Sequence, residues 1–116
     1  MGRFDFSQRD LDFEETLLEG RVEWKTIEKR LYNYEGEVKL GTETRHGWGT
    51  CSYRQGDQYW GYWKDGKIFG HCRYIFADGT AFQGEYKYDG IRWNGKSFDK
   101  TGKITMIWQN GSEVKP

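Results

Sequence analysis

Short runs of aromatic and β-branched residues recur along the middle of this chain, and each run surrounds a glycine. The three clearest runs are Tyr34–Val38, Tyr59–Trp63 and Phe82–Tyr86. The second and third copies keep their register over a whole unit, so that Gly61 falls on Gly84 at a separation of 23 residues. A fixed period of this length is typical of a solenoid or array of supersecondary units.

Turn signals separate the aromatic runs. Four of these signals are dipeptides that end in glycine, namely Gln55-Gly56, Asp65-Gly66, Asp78-Gly79 and Asp89-Gly90. Glycine at this place supplies the positive φ angle that a tight hairpin turn needs. Each repeat is therefore predicted to be one β-hairpin. Further turns are predicted at Trp93–Lys96 and Thr101–Lys103.

Three glycines lie inside the predicted strands, at Gly36, Gly61 and Gly84. A glycine in a strand interior usually marks close backbone approach or a bulge. We expect an aromatic ring from the neighbouring hairpin to lie across each bare glycine, at a spacing that a Cβ atom would forbid.

The flanks of the repeats show weaker versions of the same pattern. Apolar and polar residues alternate after Gly20, which predicts a half-buried strand that caps the sheet. A last strand is predicted before Asn110-Gly111. The chain accordingly divides into an acidic arm at 1–20, a hairpin array at 21–111 that is clearest over 34–90, and a C-terminal tail at 112–116.

The arm differs from the array in composition. It is acidic and lacks glycine between Gly2 and Gly20, and its apolar side chains are Phe4, Phe6, Leu11, Phe13, Leu17 and Leu18. Ser7 followed by Asp10 predicts the cap of a short helix. An extended arm that docks on its own sheet or on another protein is the alternative.

The aligned glycines and aromatics resemble the MORN family (membrane occupation and recognition nexus repeats), and the best copy is Tyr59–Gly70. The resemblance covers about residues 34–111. Departures are two extra residues between Gly41 and Gly47, and Cys72 in place of the second glycine of a Gly-x-Gly step. The resemblance implies an all-β fold: an elongated, single-layer antiparallel sheet of stacked β-hairpins, with a short non-repeat N-terminal arm.

Composition indicates what builds the core and which partners to expect. Val, Ile and Leu number 14 against 21 aromatic residues, so the aromatics must provide most of the buried area. One sheet face is expected to stay exposed or to meet a partner. The formal net charge is zero, and basic and acidic residues are interspersed, which argues against nucleic acid.

The sequence shows no motif of a known enzyme, and we expect neither catalysis nor a cofactor. Cys51, Cys72, His46 and His71 lie near equivalent hairpin positions, but their spacing matches no zinc pattern, and we expect reduced thiols and no metal site. The opening residues nearly fit a myristoylation signal, but Phe6 stands where Ser or Thr is required.

Two functions remain after these exclusions. The first is a scaffold subunit that binds another protein, or a second copy of itself, within a ciliary, cytoskeletal or organellar assembly, as the resemblance implies. Its binding residues are expected among Tyr59, Trp60, Tyr62, Trp63, Phe69, Phe82 and Tyr86. Aromatic side chains are the usual anchors of such interfaces.

The second function is a peripheral membrane module that recognises acidic phospholipid headgroups. The residues for it are Lys39, Arg45, Lys64 and Lys67, although neighbouring Glu and Asp residues should offset most of their attraction to lipid. There is no apolar run near 18 residues and no signal peptide pattern. An intracellular location is therefore expected, in the cytoplasm, the cytoskeleton or an organelle.

Overall fold

The computed structural model describes residues 21–87 and 90–116 of this chain. The expectations for the arm at 1–20 and for Asp89 lie outside the described residues. Nine strands follow one another: β1 Val22–Glu28, β2 Tyr32–Lys39, β3 Arg45–Tyr53, β4 Gln58–Lys64, β5 Lys67–Ile75, β6 Ala81–Lys87, β7 Ile91–Phe98, β8 Ile104–Gln109 and β9 Ser112–Val114.

The strands form one open antiparallel sheet whose spatial order is the sequence order, β1 to β9. Every strand pairs with the next through a hairpin, and the described residues contain no helix. The sheet measures 55 × 34 × 22 Å along its principal axes, which makes it elongated. The prediction of an all-β, single-layer array of hairpins is confirmed.

The 23-residue period appears in the geometry of the turns. Gly56, Gly79 and Gly102 each take a positive φ angle, of 114°, 91° and 93°. Each donates its backbone N–H to the carbonyl three residues earlier at 2.9 Å. The repeat is therefore a repeat of backbone structure, and it extends one unit beyond the two copies that match best in sequence.

The opposite ends of the hairpins use a different turn. Asp65 and Gly66 both take positive φ angles, of 51° and 84°, as a two-residue turn that matches the twist of the flanking strands requires. Asn110 and Gly111 repeat this geometry with 48° and 85°. The turn leads into β9, so residues 112–116, which we predicted to be a tail, contribute a ninth strand.

The core lies on one face of the sheet, which we call the inner face and define by Tyr34, Tyr59 and Phe82. These side chains are 1%, 0% and 0% exposed. They occupy alternate strands, and their neighbours in sequence point to the opposite, outer face. The other buried apolar side chains are Ile27, Val38, Cys51, Trp63, Cys72 and Tyr86.

Tyr34 shows how a single layer can bury a ring, because its ring lies over a small residue of the adjacent strand. The Tyr34 ring covers Gly49 of β3 so closely that a Cβ atom on that glycine would overlap it. Above the same glycine Tyr34 meets Trp63 of β4 edge to face, with ring centroids 5.5 Å apart. Glycine in the middle strand thus lets rings from strands two apart touch.

We expected an aromatic ring of the neighbouring hairpin to lie across each strand glycine, and for Gly36 and Gly84 this expectation is wrong. A Cβ atom on Gly36 would meet the backbone of Gly49, and one on Gly84 would meet the backbone of Asn94 and Gly95. At these positions the close neighbour is the paired strand itself. The close approach that interior glycines indicate is confirmed.

The predicted turn at Trp93–Lys96 is also wrong, because these residues lie inside β7. Gly95 pairs with Gly84 of β6 and with Trp108 of β8. It is 23 residues after Cys72 and occupies the corresponding place opposite a strand glycine. Gly95 therefore permits close strand approach and does not reverse the chain.

Two arginine side chains lie over the inner face, in the place that the second sheet of a β-sandwich would occupy. The Arg45 guanidinium is 4.5 Å from the Tyr32 ring centroid and 4.3 Å from that of Trp63. Arg92 lies 5.3 Å from the ring centroids of both Phe82 and Trp108. Cation–π contact and the alkyl stems of these side chains shield the rings from water.

Candidate functional site

Exposed aromatic side chains gather on the outer face near the ends of β3, β4 and β5. Trp48, Tyr62 and Phe69 are 38%, 48% and 36% exposed. Trp48 pairs with Tyr62 across β3 and β4, and their rings meet edge to face at 5.6 Å. We call these three residues the outer aromatic patch. Large exposed aromatics that touch one another are typical of an interaction surface.

A bulge beside the patch is held by Glu37. Its Oε1 atom accepts the backbone N–H of Trp48 at 2.7 Å, at the place where β2 and β3 change register. The carboxylate lies against Gly47 and occupies the space that a Cβ atom on this residue would need. Gly47 also has a φ angle of 101°, which residues other than glycine rarely adopt. Trp48 is therefore fixed in position by its backbone while its ring stays exposed.

A surface cavity of about 620 Å³ adjoins the patch. Val22 of β1 and Phe69 of β5 both line it, together with Tyr62, His46 and His71. Because residues of the first and fifth strands share one cavity, the sheet must curve around it. The cavity is large enough to receive several side chains of a partner.

The charges around the cavity are mixed. Lys39 forms a 2.5 Å ion pair with Asp65, and this contact holds the pKa of the Asp65 carboxyl below its ordinary value. The backbone N–H of Asp65 donates to Nδ1 of His46 at 3.0 Å. The ammonium group of Lys64 lies 5.2 Å from the centroid of the Phe69 ring. The cavity therefore carries charges of both signs, with Glu37 and Lys64 among its lining residues, beside an apolar floor.

The seven aromatics that we predicted as binding residues divide between the two faces. Tyr62 and Phe69 belong to the outer aromatic patch, and Trp60 is half-buried on the same face. The remaining four are at most 4% exposed and belong to the core: Tyr59, Trp63, Phe82 and Tyr86. The four buried residues can affect binding only through the fold.

Two exposed tryptophans were missing from the predicted set. Trp48 is part of the patch, and Trp24, which is 56% exposed, pairs with Glu37 from the neighbouring strand β1. Alternation could have identified Trp48, because it follows Gly47 and precedes Gly49 and must point away from the face that Tyr34 covers. Trp24 carries no comparable signal in the sequence.

The four basic residues that we proposed for lipid binding also separate. Arg45 lies on the inner face between two rings, and Lys39 is paired with Asp65. Lys64 and Lys67 stand opposite each other across the turn between β4 and β5 and are exposed. The four do not form a single basic surface.

Several carboxylates among the described residues accept hydrogen bonds within or beside the turns. Asp57 is 8% exposed and accepts hydrogen bonds from the Tyr74 hydroxyl at 2.7 Å and the Ala77 N–H at 2.8 Å. Hydrogen bonds from Thr80 and Thr101 hold the pKa values of Asp78 and Asp99, respectively, below their ordinary range. These groups stabilise the turns of the array.

The thiols and histidines remain dispersed. Cys51 and Cys72 are buried and unpaired, and burial raises the pKa of Cys72 to about 12. Within 21–87 and 90–116 no three His, Cys, Asp or Glu side chains are grouped so that they could hold a metal ion. His46, His71 and Glu37 all line the cavity, but among the described residues they do not form a group that could hold a metal ion.

Comparison with known proteins adds no relative. No model of a protein family matches this chain, and neither does any curated protein. In the described part of the chain no helix is long and apolar enough to cross a lipid bilayer.

Proposed function

We propose that this chain is a non-enzymatic scaffold subunit of the MORN-repeat type, which binds another protein through the outer aromatic patch. The single observation that carries the proposal is the contact of Trp48 with Tyr62 on a surface where both rings are more than one third exposed. Trp and Tyr are the residues most enriched at the energetic centres of protein interfaces.

The fold supplies what such a surface needs. The rings project from central strands, and the inner-face core and the bulge at Glu37 hold those strands in place. Rigid presentation reduces the entropy that is lost on binding. The mixed rim and apolar floor suit a partner segment with aliphatic or aromatic anchors flanked by acidic residues.

The proposed absence of catalysis is supported by the engagement of the titratable groups. The carboxylates of Asp57, Asp78 and Asp99 accept hydrogen bonds within their own turns. A general base needs a free carboxylate or imidazole within reach of a substrate. The cavity beside the patch has two imidazoles in its wall, but the Nδ1 atom of His46 already accepts a backbone N–H.

The membrane alternative has weaker geometric support. Of the four residues proposed for it, Arg45 lies on the inner face and Lys39 is ion-paired with Asp65, which leaves Lys64 and Lys67 beside the patch. Each basic residue at an anionic surface contributes about 1 kcal/mol, so two give little affinity without deep aromatic insertion. We therefore place protein binding first and use vesicles as a counter-test.

The decisive experiment is affinity purification of the tagged full-length chain from its own cells, in parallel with Trp48→Ala and Tyr62→Ala. We expect a stoichiometric protein to elute with the unchanged chain and to be lost from both variants. Trp60→Ala, on the same face but outside the patch, serves as the matched control. Circular dichroism and the thermal midpoint establish that each variant is folded.

Two results would overturn the proposal. One is recovery of the same partner by the folded Trp48→Ala and Tyr62→Ala variants, which would place binding elsewhere. The other is binding of the chain to vesicles of anionic phospholipid that falls with salt and with a Lys64→Glu/Lys67→Glu change, while no protein elutes. That outcome would establish the membrane function instead.

A further inference from the structure

The chain enters the sheet at the wall of the cavity beside the outer aromatic patch. Val22, the first residue of β1, lines that cavity, and the described chain begins one residue earlier at Arg21. Residues 1–20 are therefore tethered directly at the rim of the proposed binding surface.

The charge of this segment is opposite to that of the array. Residues 1–20 contain six acidic and two basic side chains, which gives a formal charge of −4. Because the whole chain is neutral, residues 21–116 carry +4. Lys64, whose ammonium group lies 5.2 Å from the centroid of the Phe69 ring, lines the cavity, as does Glu37. The opposite net charges of the segment and the array favour their association.

The segment also carries apolar side chains close to its attachment point. Leu17 and Leu18 precede Val22 by five and four residues. An extended chain spans about 3.3 to 3.6 Å per residue, so these leucines can reach about 13 to 18 Å from Val22. Trp48 on β3 and Tyr62 on β4 lie two and three strands from β1, which is about 10 Å and about 14 Å at about 4.8 Å per strand. Leu17 can therefore reach both rings, and Leu18 can reach at least that of Trp48.

We propose that residues 1–20 dock in cis on the outer aromatic patch, with Leu17 and Leu18 placed on its rings and an acidic side chain beside Lys64. The segment then competes with the protein partner for the same surface. The competition rests on the proposed function, whereas the docking itself does not.

Tethering makes such docking effective even if the contact is weak. A short flexible connection gives an effective concentration of the order of millimolar. An intrinsic dissociation constant near that value would already cover the patch about half of the time. A partner of higher affinity displaces the segment, which gives a reversible cover.

The first test places a photo-crosslinking residue in the full chain by Leu17→p-benzoylphenylalanine. We expect irradiation of the dilute monomer to join position 17 to peptides that contain Trp48, Tyr62 or Phe69. The same residue placed at Val114, on the opposite edge strand, is the matched control and should give none of these peptides. Equal yields from the two probes, or cross-links found only in dimers, would overturn cis docking.

The second test measures patch amides by NMR in the full chain and in Leu17→Asp/Leu18→Asp. We expect the double variant to change the amide chemical shifts of residues 46–48, 62–64 and 69–71. The control is Thr16→Asp, which adds charge without removing a leucine and should leave these chemical shifts close to their original values. No shift at the patch in the double variant would refute docking. If the segment covers the patch nine-tenths of the time, the double variant should bind the partner about tenfold more tightly.

The two proposals fail in different ways. Cross-links to the patch, combined with a partner that still binds the Trp48→Ala chain, would leave cis docking intact and refute the proposed function. A partner lost from Trp48→Ala, combined with no cross-links, would leave the function intact and refute the docking.

Discussion

The hydroxyl of Tyr59 donates a hydrogen bond of 2.6 Å to the carbonyl of Tyr62, three residues along the same strand. Tyr34 makes the same bond to the carbonyl of Glu37, also at 2.6 Å. In both strands the accepting residue lies where the pairing changes register. A bulge leaves one residue unpaired in the ladder, and the tyrosine hydroxyl supplies its partner.

Removing this hydroxyl should weaken the array. We expect Tyr59→Phe to lower the free energy of unfolding by about 1 kcal/mol, because the buried hydrogen bond is lost while the ring remains. The thermal midpoint should fall by about 4 °C. The control is Tyr62→Phe, whose half-exposed ring lies on the outer face and whose change should stay within about 0.5 kcal/mol. Equal midpoints for both variants would contradict a structural role for the bond.

Close backbone approach at Gly84 predicts a second effect. A methyl group there would overlap the backbone of Asn94 and Gly95, so the paired strand must shift. We expect Gly84→Ala to cost about 1 to 3 kcal/mol of unfolding free energy in urea titration. Gln83→Ala, at the exposed neighbouring position, should cost far less. An unchanged midpoint for Gly84→Ala would show that β6 and β7 are not so close.

The division of the aromatics between faces can be tested by truncation of sequence neighbours. We expect Trp63→Ala to lower the free energy of unfolding by about 3 to 5 kcal/mol, because the side chain is 4% exposed and contacts Tyr34 and Tyr59. Tyr62→Ala should cost about 0.5 to 1.5 kcal/mol, because it removes a half-exposed ring and its edge-to-face contact with Trp48. Thermal melts of both variants measure the difference. The reverse order would mean that the inner and outer faces are exchanged.

Alkaline pH should destabilise the protein. Burial raises the pKa of Cys72 from its ordinary 9.0 to about 12, so the folded thiol keeps a proton that the unfolded thiol has lost. Between pH 9 and 12 the unfolded state binds fewer protons, and stability must fall as pH rises. Burial also raises the pKa values of Tyr34 and Tyr59, which extends the decline above pH 10.

Urea midpoints at pH 8, 9.5 and 11 measure this decline. We expect the loss between pH 8 and 9.5 to be smaller in Cys51→Ala/Cys72→Ala, because burial raises the pKa of both thiols. Identical slopes for the two chains would show that neither thiol is responsible.

The position of Arg45 between two rings suggests a test of how much its cation–π contacts stabilise the fold. Arg45→Lys keeps the charge but removes the planar guanidinium that lies near Tyr32 and Trp63. Since a lysine cannot stack on both rings, we expect a loss of about 0.5 to 2 kcal/mol in unfolding free energy. Lys87→Arg, which keeps a cation over the Trp93 ring, is the matched control and should be neutral or slightly stabilising. A neutral Arg45→Lys would mean that charge alone suffices.

Much of the fold could be predicted because its signals are local. The positive φ angles at Asp65-Gly66 and Gly79 follow from turn chemistry that four residues determine. The aromatic–glycine repeat and its turns predicted the hairpins, and the MORN resemblance implied their single-layer array. The failures came where one local signal has two meanings: Asn94-Gly95 has the composition of a turn, yet the pairing of Gly95 with Gly84 places it within a strand.

The binding surface could be predicted only in part. Residue type identified Tyr62 and Phe69, but it also selected Tyr59 and Trp63, which are buried. Neighbouring aromatics in one strand point to opposite faces, and their composition does not say which face is covered. Burial followed from which strands lie side by side and from the rings that cross Gly49.

The sequence by itself determined the hairpin repeat, its 23-residue period and the dependence on aromatic residues for the core, because backbone turn preferences and side-chain alternation act over a few residues. Tertiary structure alone decided which face became the core, where Arg45 and Arg92 cover it, and that Trp48 meets Tyr62 at an exposed surface. The contacts Trp48–Tyr62, Arg92–Trp108 and Arg45–Trp63 join residues 14, 16 and 18 positions apart, which only the pairing and curvature of the whole sheet bring together.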